Sequence, residues 1–218
     1  MAKLRVHNVA ISLDGYAAGP DQGLDHPLGV GGEALHAWSI ATESFRRTHG
    51  SDGAEPGQPG LDDDFIRAGD ENVGATIMGR NMFGPVRGPW NDPEEWTGWW
   101  GDNPPFHHPV FVLTHHPRRP VTMEGGTTFH FVDKGIEAAM DQAFEAADGR
   151  DVRIGGGPHT IRQYMRAGLV DEVHVAIVPI LLGAGERLLD NLSGAIHTYE
   201  CVEFVSSPTV MHVRLARR

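Results

Sequence analysis

The sequence predicts a single three-layer α/β domain with a mostly parallel sheet and an antiparallel C-terminal hairpin. Three observations point there. Short β-branched runs alternate with helical patterns along most of the 218 residues, as crossover connections between parallel strands require. The last two apolar runs are separated only by Ser206-Ser207-Pro208, too short for a crossover, so they pair antiparallel. No internal repeat or domain boundary interrupts the pattern.

Each element has its own signal. Leu4 to Ile11 is a β-branched strand, and Asp14 to Gly32 is a turn-rich loop. Glu33 to Arg47 places Leu35, Trp38, Thr42 and Phe45 on one helical face. His49 to Gly60, rich in Gly, Pro and acids, reads as a mobile insertion. Asp62-Asp63-Asp64 opens the next helix where the dipole favours acids, with its charges solvated. Ala75 to Met78 is a buried strand that Gly79-Arg80 turns into a helix. Gly84 to Pro109 is proline-rich and holds four of the five tryptophans, so it is a structured loop whose rings form a local core or a contact surface. Strands follow at 110–114 and 127–132, then a helix over Ile136 to Ala147. The strand Val152-Arg153-Ile154 stops at Gly155-Gly156-Gly157, and the helix after it closes at Gly168, a left-handed cap. Strands at 172–179, 196–205 and 209–215 complete about eight.

Composition bounds the function. With 29 acidic and 18 basic residues the net charge is −11, which argues against a dedicated binder of nucleic acid or anionic membranes. A phosphorylated small molecule remains compatible, because a few local donors override the global sign. Cys201 is the only cysteine, so no internal disulfide, Cys-based zinc site or CxxC pair can form. The N-terminus has no signal-peptide core, and no apolar run reaches the roughly 18–20 residues of a membrane span, so a cytoplasmic protein is expected.

The chemistry gathers at strand ends. In Ile154-Gly155-Gly156-Gly157-Pro158-His159 a strand runs through three glycines into a helix. Bare backbone lets a ligand approach, and free amides at a helix start attract a phosphate. A tight turn that needs glycine only for its backbone angles is the competing reading. The run has neither GxGxxG spacing nor a Gly-Lys-Ser/Thr ending. Met78-Gly79-Arg80-Asn81 repeats the junction with a guanidinium in place, and Leu113-Thr114-His115-His116-Pro117-Arg118-Arg119 ends a third strand. Such ends meet at the carboxyl edge of a parallel sheet, the ligand edge of open α/β folds. A nucleotide cofactor fits best. Adjacent histidines at 107–108 and 115–116 point apart, so no metal site is expected.

The order Ser12-Leu13-Asp14-Gly15, Met78-Gly79-Arg80, Val112-Leu113-Thr114 and Ile154-Gly155-Gly156-Gly157 resembles the dihydrofolate-reductase-like superfamily. Gly168-Leu169-Val170-Asp171-Glu172-Val173 and Pro179-Ile180-Leu181-Leu182-Gly183-Ala184-Gly185 resemble its riboflavin-pathway branch, which includes the reductase half of bifunctional riboflavin-biosynthesis deaminase-reductases. The resemblance implies an eight-stranded sheet, a homodimer and NADPH as hydride donor. It implies that Gly155, Gly156, Gly157, Pro158 and His159 line the pyrophosphate, with Gly79, Arg80 and Asn81 opposite. Thr114, His115 and His116 would border the adenosine, and Ala10 and the loop at Ala18 the nicotinamide. It makes Asp14 and Glu186 the candidates for substrate binding or proton delivery, although an Asp-Gly turn and a solvated loop acid describe them equally well.

Three departures narrow the substrate. Met82 stands where folate reductases carry a Thr, Ala176 replaces the Thr that helps hold the pterin, and Leu24-Asp25-His26 replaces a Leu-Pro-Trp signature. The zinc deaminase half, with its His-x-Glu and Pro-Cys-x-x-Cys, is missing. The substrate implied is a riboflavin-pathway pyrimidine such as 5-amino-6-(5-phosphoribosylamino)uracil. The alternatives are reduction of another imine or carbonyl, and a non-catalytic nucleotide-binding protein.

Overall fold

The computed structural model describes residues 1–50, 57–84, 88–90 and 96–218, and of residues 195–196 the backbone alone. In chain order, β1 (Leu4–Ser12) and β2 (Tyr16–Ala18) flank the Asp14–Gly15 turn. A 3-10 turn over Gly32–His36 leads into α1 (Ala37–Ile40), α2 (Glu43–His49) and α3 (Leu61–Asp70). Then come β3 (Val73–Gly79), α4 (Arg80–Phe83), β4 (Pro109–Leu113), β5 (Val121–Thr122), β6 (Thr128–Val132), α5 (Ile136–Ala147), β7 (Asp151–Gly156) and α6 (Pro158–Arg166). The chain finishes with β8 (Glu172–Val178), β9 (Glu186–Arg187), α7 (Ala195–Thr198), β10 (Tyr199–Ser206) and β11 (Met211–Arg217).

The chain divides into two compact units that share β1. The first comprises Met1–Val6 and Asn72–Asp171. Its strands run in the order β1-β7-β3-β4-β6-β5, parallel except where two-residue β5 turns back on β6. Every residue of β3, Val-Gly-Ala-Thr-Ile-Met-Gly, is buried, as expected of a parallel strand covered on both faces. Met78, Phe83, Phe106, Val110, Val112 and Phe129 form the core here. Trp90, Trp96 and Trp100 of the loop read at Gly84 to Pro109 pack on this core, and residues 85–87 and 91–95 of that loop lie outside the described residues.

The second unit comprises His7–Glu71 and Glu172–Arg218. Its strand order is β10-β11-β8-β1, with β10/β11 antiparallel as the short Ser206–Pro208 connection requires and β11/β8 antiparallel as well. Ala10, Leu35, Trp38, Ile66, Ala176, Val178 and Val210 form its core. The main sheet thus has nine strands rather than eight, β5 being the addition, and a separate pair joins β2 to β9. No helix among the described residues is long and apolar enough to cross a membrane.

Two expectations are corrected. The helix read over Glu33 to Arg47 is broken before Thr42, which is extended at φ −76° and ψ 154°. Its hydroxyl donates to the Ser39 carbonyl at 2.7 Å and accepts from the Phe45 amide at 3.3 Å. Thr42 caps α2 instead of continuing a longer helix, because a hydroxyl at an N-cap satisfies a donor that would otherwise be orphaned. The acids opening α3 are not all solvated either. Asp63 is buried and accepts from the Ser44 amide at 2.6 Å, while Asp62 accepts from Thr209 at 2.6 Å and faces His212 Nε2 at 2.8 Å. Part of the insertion read at His49 to Gly60, residues 51–56, lies outside the described residues.

Candidate active site

In the first unit three strand ends come level. Met78 pairs with Gly156 and Gly79 with Leu113, so the carboxyl ends of β3, β4 and β7 lie side by side. Gly79, Arg80, Asn81, Thr114, His115, Gly155, Gly156, Gly157, Pro158 and His159 all sit at these ends or directly after them.

The glycines there serve different ends. Gly156 has φ +135°, a conformation that side chains rarely adopt, and a Cβ would come 2.9 Å from Met82 Sδ. The Gly156–Gly157 peptide is cis. Gly79 has an ordinary φ of −79°, and its requirement is space: a Cβ would lie 2.4 Å from Thr160 Oγ1 on α6. A Cβ on Gly157 would meet nothing within 4 Å, so the backbone faces open space at the start of α6. Backbone angle therefore explains Gly156 but neither of the others. No side chain caps α6, and Pro158 takes its first turn, where a missing N–H costs nothing. The turn offers backbone donors beside an open face, an arrangement suited to an anion.

Arg80 lies at the same edge. Among the described residues, all three of its guanidinium nitrogens are out of contact with solvent and make no hydrogen bond. Its Cζ rests 3.4 Å from the centre of the Trp90 ring, and Arg118 Cζ lies 4.3 Å from the same ring. Burial, with the Arg118 charge second, pushes the Arg80 guanidinium down to about 10. Trp90 is held in place because its indole N–H donates to the His116 carbonyl at 2.6 Å. That carbonyl follows β4 in a turn closed by the His116 amide donating to Thr114 Oγ1 at 3.0 Å. Thr114 is buried, whereas Asn81, His115 and His159 are exposed.

The second unit holds the other candidates. The Asp14 carboxylate accepts from Ser12 Oγ at 2.5 Å, the Leu182 amide at 3.1 Å and the Gly183 amide at 2.7 Å. The Ser12 hydroxyl, helped by the two amides, holds Asp14 well below the usual carboxylate range, at about 2. Through the two amides Asp14 ties down the 182–183 loop. Arg187 closes the same corner: it donates to the Asp14 carbonyl at 2.8 Å and to the Tyr16 hydroxyl at 3.2 Å. Glu186 is half-buried on β9, in register with Ala18 on β2. Ala10 and Ala18 are both buried, Ala10 packing with Leu35, Trp38 and Ala176.

Four participants carry no role in the sequence reading. Ser12 has a weak signal, since the Ser-x-Asp spacing lets a hydroxyl reach a carboxylate two residues on. Tyr16 and Arg187 meet across 171 residues, and Trp90 meets Arg80 from outside the named helices and strands, so neither pairing leaves a periodic trace. Among the described residues, no group of three or more His, Cys, Asp or Glu could hold a metal ion.

A family model described as the RibD C-terminal domain matches residues 5–212. Among solved structures, a protein assigned to riboflavin biosynthesis from Shewanella sp. PV-4 is 21% identical with a TM-score of 0.58, covering 100% of this chain and 99% of that one. A pyrimidine reductase-like protein from Corynebacterium diphtheriae is 14% identical with a TM-score of 0.55, covering 100% and 92%. Dihydrofolate reductase from Enterococcus faecalis, solved with NADP(H), is 13% identical with a TM-score of 0.51, covering 99% and 96%. At these identities the structures show a shared dihydrofolate-reductase-like fold. Comparison with curated protein sequences finds no significant match.

Proposed function

Since the chain belongs to the RibD C-terminal domain family, we propose that it is an NADPH-dependent reductase of a small heterocycle, with a riboflavin-pathway pyrimidine such as 5-amino-6-(5-phosphoribosylamino)uracil as substrate. One observation carries the cofactor half of this reading. A desolvated guanidinium, Arg80, makes no hydrogen bond among the described residues and stands at the strand edge where the turn before α6 leaves bare backbone uncovered by them. Desolvating a charge costs free energy unless a counter-charge arrives, and a phosphate supplies it.

The residues present fit such a cofactor. Gly156, Gly157, Pro158 and His159 would hold the pyrophosphate with backbone donors, and Gly79 leaves no side chain between the strand end and α6. Arg80 would pair with a phosphate oxygen. Thr114 and His115 would border the adenosine, with Asn81 beside the phosphates and Ala10 and Ala18 against the nicotinamide. NADPH supplies the hydride when bound, and the protein's part is to orient both reactants and deliver the accompanying proton. Asp14 would hold the 182–183 loop in place, and Glu186, half-buried on β9, is the carboxyl group proposed to place that proton.

Calorimetric titration tests this reading. NADPH is expected to bind with a micromolar dissociation constant, and Arg80→Ala to weaken it roughly tenfold or more, the scale of a lost charge-assisted hydrogen bond. Absence of binding by any nicotinamide nucleotide would sink the proposal.

A further inference from the structure

In the second unit a chain of hydrogen bonds runs from β1 through β8 and β11 to α3, and the reductase reading makes no use of it. The Asn8 amide donates to His174 Nδ1 at 3.1 Å, His174 Nε2 lies 3.0 Å from His212 Nδ1, and His212 Nε2 lies 2.8 Å from Asp62 Oδ1. Thr209 donates to the other Asp62 oxygen at 2.6 Å. Both imidazoles are fully buried, and Phe65 stacks on His174 at 4.5 Å and on His212 at 4.0 Å.

One nitrogen in this chain has two competing partners, because Asn8 Oδ1 also lies 3.1 Å from His174 Nδ1. The Asn8 carboxamide is held that way round by its Nδ2, which donates to the Ile66 carbonyl at 3.4 Å. Gly69 of α3 leaves room for it, since a Cβ there would come 2.2 Å from Asn8 Nδ2. A backbone amide only donates and a carboxamide oxygen only accepts, so the two ask for opposite tautomers of His174. With Nδ1 bare, His174 donates from Nε2 to His212, and His212 donates from Nε2 to the ionised Asp62. With a proton on Nδ1, a neutral His174 donates to Asn8 Oδ1 and accepts at Nε2, so His212 carries protons on both nitrogens. The two arrangements differ by one proton.

The surroundings favour His212 as the place for that charge. Its ring meets a carboxylate at one edge and an aromatic face above, and both attract a cation. Burial, then the neighbouring His7, His212 and Arg214, hold His174 well below the usual imidazole range. The other charged groups around the cluster have partners of their own. His7 Nε2 lies 4.0 Å from Glu172, Arg214 lies 3.4 Å from Glu203, and Asp63 accepts from the Ser44 amide.

We propose that Asn8, His174, His212 and Asp62 form a proton-driven tautomer switch. On uptake of one proton an N–H bond forms at His174 Nδ1, the one at His174 Nε2 breaks, and its proton passes to His212 Nδ1. His212 becomes an imidazolium paired with Asp62, His174 stays neutral, and Asn8 exchanges a backbone contact for a side-chain one. The amide released in acid belongs to β1, at a residue whose φ of +57° already departs from strand geometry. The switch does not rest on the reductase reading.

Nitrogen–proton NMR correlation of the isotope-labelled full chain reads both tautomers directly, from about pH 8 to about pH 5, where an ordinary imidazole titrates. In the wild type His174 is expected to pass from the Nε2-protonated to the Nδ1-protonated tautomer while His212 gains its second proton, with one shared midpoint. The Asn8 amide proton should move upfield as it loses its acceptor. Asn8→Gly keeps the amide and the positive φ but removes the carboxamide, so His174 should hold the Nε2-protonated form throughout. Asp62→Asn removes the counter-charge, so the His174 tautomer should cease to depend on pH. Thermal melts confirm that each variant is folded, and the wild-type titration stands without them. A wild-type His174 that keeps one tautomer across this range, or becomes the imidazolium itself, would overturn the proposal. So would a tautomer change whose midpoint is unmoved in Asp62→Asn.

Discussion

Asp14 ties the turn after β1 to a loop far along the chain. Its three acceptor contacts come from Ser12, Leu182 and Gly183, and the Ser12 hydroxyl contributes most to holding it near 2. Removing that donor has a readable consequence. Ser12→Ala should raise the Asp14 pKa toward its ordinary value of 3.8, measurable by NMR titration of the carboxyl carbon. Asp14→Asn should loosen the 182–183 loop, seen as faster hydrogen exchange at the Leu182 and Gly183 amides, without creating a pH-dependent loss of hydride transfer. A steep rate loss in Asp14→Asn with unchanged loop exchange would restore Asp14 as the proton donor.

At the scale of elements, β8, β11 and α3 meet through buried imidazoles. His174 Nε2 and His212 Nδ1 lie 3.0 Å apart, and Phe65 of α3 stacks on both rings. Burial, then the neighbouring His7, His212 and Arg214, push His174 down to about 2. His36, His108 and His130 are lowered too, each chiefly by burial. The sign follows from linkage. Each of these histidines binds its proton less readily in the folded chain than at the ordinary 6.5 of the unfolded one, so below that pH the unfolded state binds more protons and stability falls. Each such proton steepens the loss by up to about 1.4 kcal/mol per pH unit. Melting temperature should therefore drop between pH 6.5 and 5, and His174→Gln should make the decline shallower. An unchanged slope in that variant would place the titration on other groups.

Across the whole molecule, what could be read from the sequence follows from range. The long buried strands and α5 were legible because their apolar runs carry a period that burial imposes. β2, β5 and β9 were not, since two or three residues show no period and are fixed by partners elsewhere in the chain. The break before Thr42 was missed because apolar spacing continues through it while a hydroxyl caps the next helix. Asp62 looked solvated because its partners, Thr209 and His212, lie about 150 residues away. The glycine turn and Arg80 were visible because their chemistry is local. The second guanidinium at Trp90 depends on a loop folding back, which leaves no pattern in the chain.

The central claim is hydride transfer, and isotope tracing tests it most directly. The protein is incubated with NADPH deuterated at the transferable position of the nicotinamide and with the proposed substrate, 5-amino-6-(5-phosphoribosylamino)uracil. Mass spectrometry of the product should find one deuterium bound to carbon, at a rate that Arg80→Ala lowers at limiting cofactor. Product without deuterium, or no turnover of this and related imine and carbonyl compounds despite tight NADPH binding, would contradict the reductase account.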